Sequence, residues 1–415
     1  RDFDAFAGST VNISGGSVGS SFNAFDGTTV NISGGSVGRV FHAFAGSTVN
    51  ITDGTVGSAF VAGSGSTVTI SGGTVGDGLD ARDGSAVNIS GGSTGSNFRA
   101  FNGSEVNISG GSVGSSFNAL DGSKVTISGG EFTFNGASTS SIDSVGSGDV
   151  LAGVLADGSV FIFAGTQDNN SNAPIKTDPQ RNVFIFGDAQ GDGLAFGTTT
   201  LDTVAVAPAD TTPMTVSSGI ASIKGLRAGQ TLTITGNAQV RQGFDAIGGT
   251  LNIEGGSVGD QLTTVNTDVN ISSGSVGRDF DAFAGSTVNI SGGSVGRFFD
   301  AGSGTQVNIS GGTVGSGFDA LDGSTVNISG GRVGMGSDSI FNPFEAFDGS
   351  TVTISGGSVG RFDALDGSTV NISGGTVGPF FDAESGSTVN ISGGSVGGDF
   401  RASEGSNLNL FVTDI

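Results

Sequence analysis

Residues 3–19 read FDAFAGSTVNISGGSVG, residues 22–38 read FNAFDGTTVNISGGSVG, and residues 41–57 read FHAFAGSTVNITDGTVG. The same phrase restarts every nineteen residues, and that interval decides the fold. Working outward, Phe60, Leu79, Phe98 and Phe117 continue the first position, and Ile13, Ile32, Ile51, Ile70, Ile89, Ile108 and Ile127 keep the same step. A second array runs through Ile253, Ile271, Ile290, Ile309, Ile328, Ile354, Ile372 and Ile391, with steps of 19 except for two of 18 and one of 26. The long step contains a seven-residue insertion around Met335–Pro343, expected to bulge from a corner. A fixed short period is the mark of a solenoid, in which a single repeat cannot bury its own apolar face and neighbours must stack.

Alternation inside the phrase assigns faces, because successive side chains of a strand point to opposite sides. Phe3, Ala5, Val11, Ile13 and Val18 fall on the inward side, and Asp4, Thr10, Asn12 and Ser14 on the outward side. Glycines at 8, 15, 16 and 19 separate the apolar runs, where a turning backbone calls for positive φ. The expected fold is therefore all-β: a parallel β-solenoid (β-helix) of 19-residue coils, three-sided, with a flatter two-layer coil as the alternative. It falls into two arrays separated by an irregular β-rich segment. Residues 1–130 form the first array of seven coils, 131–243 a terminator, linker and opening coils, and 244–415 the second array of eight coils plus a degenerate end.

Composition limits function. The net charge is −23, from 15 Lys and Arg against 38 Asp and Glu. Nucleic acid and anionic membranes are poor partners for such a surface, since phosphate binding needs clustered basic groups. No apolar run is long enough to span a bilayer. Cys is absent, which removes disulfides and thiolate metal sites. Gly 79 without a Gly-X-Y period excludes collagen. The chain opens at Arg1 inside a repeat, so a targeting signal is expected upstream of it.

The wording of the coils, F-D-A-F-x-G-S-T-V-N-I-S-G-G-S-V-G, resembles large secreted repeat proteins of planctomycetes over about 300 residues. The resemblance implies an extracellular or cell-surface setting and a β-solenoid, and it carries over no catalytic residues.

Catalytic constellations are not evident. His42 is the one histidine, and its slot in other coils holds Asp4, Asn23, Val61 or Asp80. Nucleophile–base pairs of the usual kinds lack members without a second His or any Cys. Polar positions repeat evenly and gather on no single coil, as the groove of a carbohydrate-active β-helix enzyme would require. The chain is read as a structural or adhesive extracellular protein, a rigid rod or filament component, and not as an enzyme. Its expected partner is itself, by end-to-end or lateral association.

Two sets of outward residues are candidates for binding. Thr10, Asn12, Thr29, Asn31, Thr48 and Asn50 in the first array, and Asn289, Asn308 and Asn327 in the second, form a surface ladder of identical groups. Stacked amides at strand spacing hydrogen-bond along the stack. The same flat hydroxyl and amide face suits ice or a polysaccharide, although Ala86, Glu105 and Lys124 interrupt its Thr lane. The motif also writes Asn-x-Ser/Thr sequons, such as Asn12-Ile13-Ser14, which follow from the ladder. The second set is acidic. Residues 244–415 hold 19 acids against 5 bases. The slot after the core Phe runs Asp281, Asp300, Asp319, Glu345, Asp363 and Asp382, with Asp322, Asp348 and Asp366 three residues further on in three coils. Calcium favours flexible carboxylate sites of this kind, and a solvated acidic face is the competing expectation. Arg278, Arg297 and Arg361 are the nearby cations. No other cofactor is implied, and Asp188 and Asp192 form only a faint approach to a calcium loop.

Overall fold

The computed structural model describes residues 2–114, 117–120, 122–142, 149–164, 184–185, 198–221, 223, 225–335 and 342–411, and among them every regular element is a strand. The insertion residues 336–341 and the Asp188/Asp192 segment lie outside the described residues. The chain divides into two compact units, residues 1–208 and 209–415, so the middle segment contributes its first part to one unit and its last part to the other.

Each coil of the first unit contributes two strands. A short one carries F-x-A, as in Ser21–Ala24, and a nine-residue one carries T-V-x-I-S-G-G-S-V, as in Thr29–Val37. Successive copies pair in parallel one repeat apart, Phe22 on Phe41 and Asn31 on Asn50. The sequence led to three inward runs per coil. All three are present, but hydrogen bonding gathers them into two sheets per unit. The Ser-Gly-Gly corner is the reason. It carries a register shift, between Ile32 and Ser36 for example, and rung-to-rung bonding resumes beyond it, as in a β-bulge that bends a strand without ending its sheet. In the second unit the run is still continuous in Thr250–Val258 and Asp268–Val276, and from the next coil on the same bend separates it into two strands, such as Thr325–Ile328 and Arg332–Val333, which remain in one sheet.

The second residue of the Gly-Gly pair at this corner is glycine throughout the regular coils, while its first is replaced by Asp53 and Ser273 in two of them. A Cβ on Gly330 would lie 2.2 Å from the Ser310 carbonyl oxygen of the coil below, and Gly331 sits at φ +77°. Close backbone stacking thus favours glycine at the first position, and the left-handed conformation requires it at the second.

The inward residues form one core per unit. Phe22, Phe41, Phe60, Phe98 and Phe117 are fully buried in the first, and Phe280, Phe299, Phe318, Phe344, Phe362 and Phe381 in the second. Rings 4.5–4.8 Å apart stack face to face from Phe280 to Phe344, and from Phe344 to Phe381 neighbours turn edge-on. The Ser or Thr before the lane Thr is also buried in most coils, as Thr28, Ser47, Ser286 and Ser324 are. Ser47 Oγ satisfies itself by donating to the Phe44 carbonyl at 2.6 Å.

The first unit closes by a change of pattern. Lys124–Phe134 continues past the repeat, pairs antiparallel with Val150–Leu155, and that strand pairs with Val160–Ala164. Thr198–Thr203 then adds a parallel rung on Lys124–Gly129. The second unit opens with Met214–Val216 under Thr231–Ile234. At the other end Asn407–Leu410 still pairs in register with Thr388–Ile391, so the degenerate last phrase is a rung of the stack.

Candidate functional site

Outward residues of the long strands stand in straight lanes because the register is constant. Where Asn follows Asn in this lane, the amide nitrogen donates to the amide oxygen of the coil before it. Asn31 Nδ2 reaches Asn12 Oδ1 at 2.8 Å, and Asn50 Nδ2 reaches Asn31 Oδ1 at 2.9 Å. The second unit repeats this from Asn270 through Asn289 and Asn308 to Asn327, at 2.9–3.0 Å. In many coils the hydroxyl after the core Ile leans on the Ile carbonyl of the previous coil, as Ser310 does on Ile290 at 3.5 Å. Thr10 and Asn12 are exposed, whereas Thr29, Asn31, Thr48, Asn50, Asn289, Asn308 and Asn327 are half-buried by their own neighbours. The amide lane is thus largely occupied with itself, each group in a run giving one bond down and taking one from above.

The acidic slot behaves differently from a solvated face. Asp281, Asp319 and Asp363 are buried, at 2%, 7% and 8% exposure, and Asp300, Glu345 and Asp382 are half-buried. Asp322, Asp348 and Asp366 sit in exposed turns. Alternation assigns the slot to the outward side, and it says nothing of what folds over it. At Asp363 the cover is Arg361, two residues earlier, whose guanidinium lies 3.1 Å from Asp363 and 3.5 Å from Asp382. Burial raises the Asp363 carboxyl above the usual carboxylate range, and the hydrogen bonds and charge of Arg361 pull against that rise. Among the described residues, no group of three or more His, Cys, Asp or Glu side chains converges as a metal site.

Two features escaped the reading of the sequence. Asp80 is almost fully enclosed and held by two arginines. Arg99, one rung above, gives it bonds of 2.8 and 3.0 Å, and Arg82 one of 2.8 Å. Both guanidiniums also lie over the Phe101 ring, at 4.7 and 5.4 Å. The signal was available: opposite charges one repeat apart in the same slot. Glu105 and Lys124 follow it at 3.3 Å, and Asp382 and Arg401 at 4.0 Å. The second feature is Asp245, whose carboxyl burial pushes up to about 7 against a hydrogen bond with Thr263. It occupies the same slot at the start of the second unit's core.

No protein-family model matches the chain, and no curated protein is similar to it. Among solved structures, a fragment of TibA hyper-glycosylated by TibC catalysis aligns over 99% of this chain and 97% of that one. Its identity is 11% and its TM-score 0.23, too low for either number to bear on shape or role. No helix among the described residues is long and apolar enough to cross a membrane.

Proposed function

We propose that the protein is a structural or adhesive repeat protein of the cell exterior, a stiff spacer or filament component with further copies of itself as partners. The observation that carries this reading is the direction of its polar bonds. Asn on Asn, Lys124 on Glu105 and Arg99 on Asp80 each tie one coil to the next along the stack. Groups that an enzyme would aim at a substrate are here spent on axial cohesion. Stability in such a stack is a property of neighbours, so lengthening it stiffens it without a new core. The extracellular setting rests on the likeness of the coil wording to secreted repeat proteins.

Limited proteolysis with a broad-specificity protease tests the stiffness. The regular coils should remain intact after prolonged exposure, since cleavage needs local opening. Early cuts inside the coils would contradict a stiff rod. Intact cells of the source exposed to the same protease test the setting: loss of the protein supports surface display, and full protection opposes it.

A further inference from the structure

The amide lane is not continuous. Thr69 and Thr353 stand in it where neighbouring coils have Asn, Thr69 between Asn50 and Asn88 and Thr353 between Asn327 and Asn371. The polarity of the lane gives each interruption the same chemistry. Asn50 donates down to Asn31 and Asn327 down to Asn308, while their own Oδ1 atoms accept nothing from the Thr above. Asn88 and Asn371 accept from Asn107 and Asn390, while their Nδ2 atoms have no protein acceptor among the described residues. Each gap therefore presents an open acceptor, a hydroxyl and an open donor in a row along the axis, two coils from end to end. By contrast Asn252, which also follows a Thr, closes on Thr233 Oγ1 at 3.4 Å.

The surroundings are alike as well. Beside the lane, the outward positions around the two gaps carry hydroxyls apart from Ala86, and the nearest charge in these strand segments is the exposed Asp53, just beyond Thr52. We infer that these two gaps are binding points for a neutral polysaccharide, taken up through its hydroxyl groups. A chain hydroxyl both donates and accepts, so it satisfies the open amide oxygen at one end of a gap and the open amide nitrogen at the other. The acidity of the molecule as a whole disfavours a polyanionic glycan. Ice is the poorer fit, because a crystal plane needs a lane without breaks, and Ala86, Glu105 and Lys124 break the adjacent one. This proposal is independent of the rod reading: a rod that binds no glycan remains a rod.

The test is cosedimentation of the 415-residue chain with microcrystalline cellulose and with chitin, alongside partitioning into polycrystalline ice. Thr69→Asn with Thr353→Asn restores the amide to both gaps. It recreates the neighbours' own phrase, so the fold should survive with an unchanged or higher melting temperature. Closing a gap removes two net hydrogen bonds to the ligand, and affinity should fall about tenfold at each. Asn308→Thr opens a third gap and should raise retention. Equal binding by the double Asn variant, or no binding of wild type to either polysaccharide, overturns the proposal. Partition into ice without retention on polysaccharide overturns it too.

Discussion

Phe318 lies at the middle of the second unit's ring stack, 4.8 Å from Phe299 and 4.5 Å from Phe344, with no exposed surface. Phe318→Ala empties a slot whose floor and ceiling are rings fixed to adjacent backbone rungs, so the gap cannot collapse. Truncation of a buried Phe costs about 3–5 kcal/mol. The two lost stacking contacts place this site in the upper part of that range, at about 0.5–1.5 kcal/mol each. Phe318→Leu is the informative partner, because the fold already uses Leu79 and Leu262 in this slot, both buried. It keeps most of the volume and should cost no more than about 1.5 kcal/mol. Hydrogen exchange read by mass spectrometry is the appropriate assay, since a stack of coils need not unfold in one step. The Ala variant should lose protection in the coils of Phe299, Phe318 and Phe344, with the coils of residues 22–118 unchanged. Two results would refute the reasoning: Ala and Leu variants of equal stability, or protection lost evenly over both units.

Other consequences are as direct. Gly331→Ala places a side chain at φ +77° with its Cβ 2.7 Å from the Gly311 carbonyl oxygen, and the melting temperature should drop sharply, whereas Gly398→Ala meets nothing within 4 Å and should melt like wild type. Arg99→Ala removes two charged bonds from the enclosed Asp80 and should cost about 1.5–3 kcal/mol by urea titration, a loss that Asp80→Asn in the same chain partly recovers. Asp245 holds its proton in the folded state up to about pH 7, while the unfolded chain releases it near 3.8. Its contribution is therefore greatest at low pH and is lost as pH rises through that window; Asp245→Asn should flatten the slope of stability against pH there. Chelation of calcium should leave the melting temperature unchanged, because Arg361 and Arg401 already face Asp363 and Asp382; a fall of several degrees would assign a cation to the acidic slot.

What could be read from the sequence, and what could not, follows from the kind of order each feature has. A period of nineteen fixes which residues stack, and a period of two fixes their face, so the core Phe, Ala, Val and Ile and the outward Thr-x-Asn-x-Ser positions were legible without coordinates. The number of sheets was not, because it depends on whether the Ser-Gly-Gly bend interrupts hydrogen bonding, and glycine spacing marks a bend without giving its ladder. Burial of Asp281, Asp319 and Asp363 was hidden for a similar reason. Exposure of an outward residue depends on the corner before it, and corners are where the coils differ most, with Arg278, Arg297, Ser316 and Arg361 in related places. The Asp80–Arg99 pair was visible and overlooked, since reading the repeat as an average erases the coils that depart from it. The same holds for Thr69 and Thr353. In a repeat protein the shared phrase specifies the scaffold, so any local chemistry must come from departures. Each departure can be paired with the residue nineteen positions away and asked whether it closes a bond or opens one. Arg99 closes one on Asp80, and Thr69 opens two, on Asn50 and Asn88.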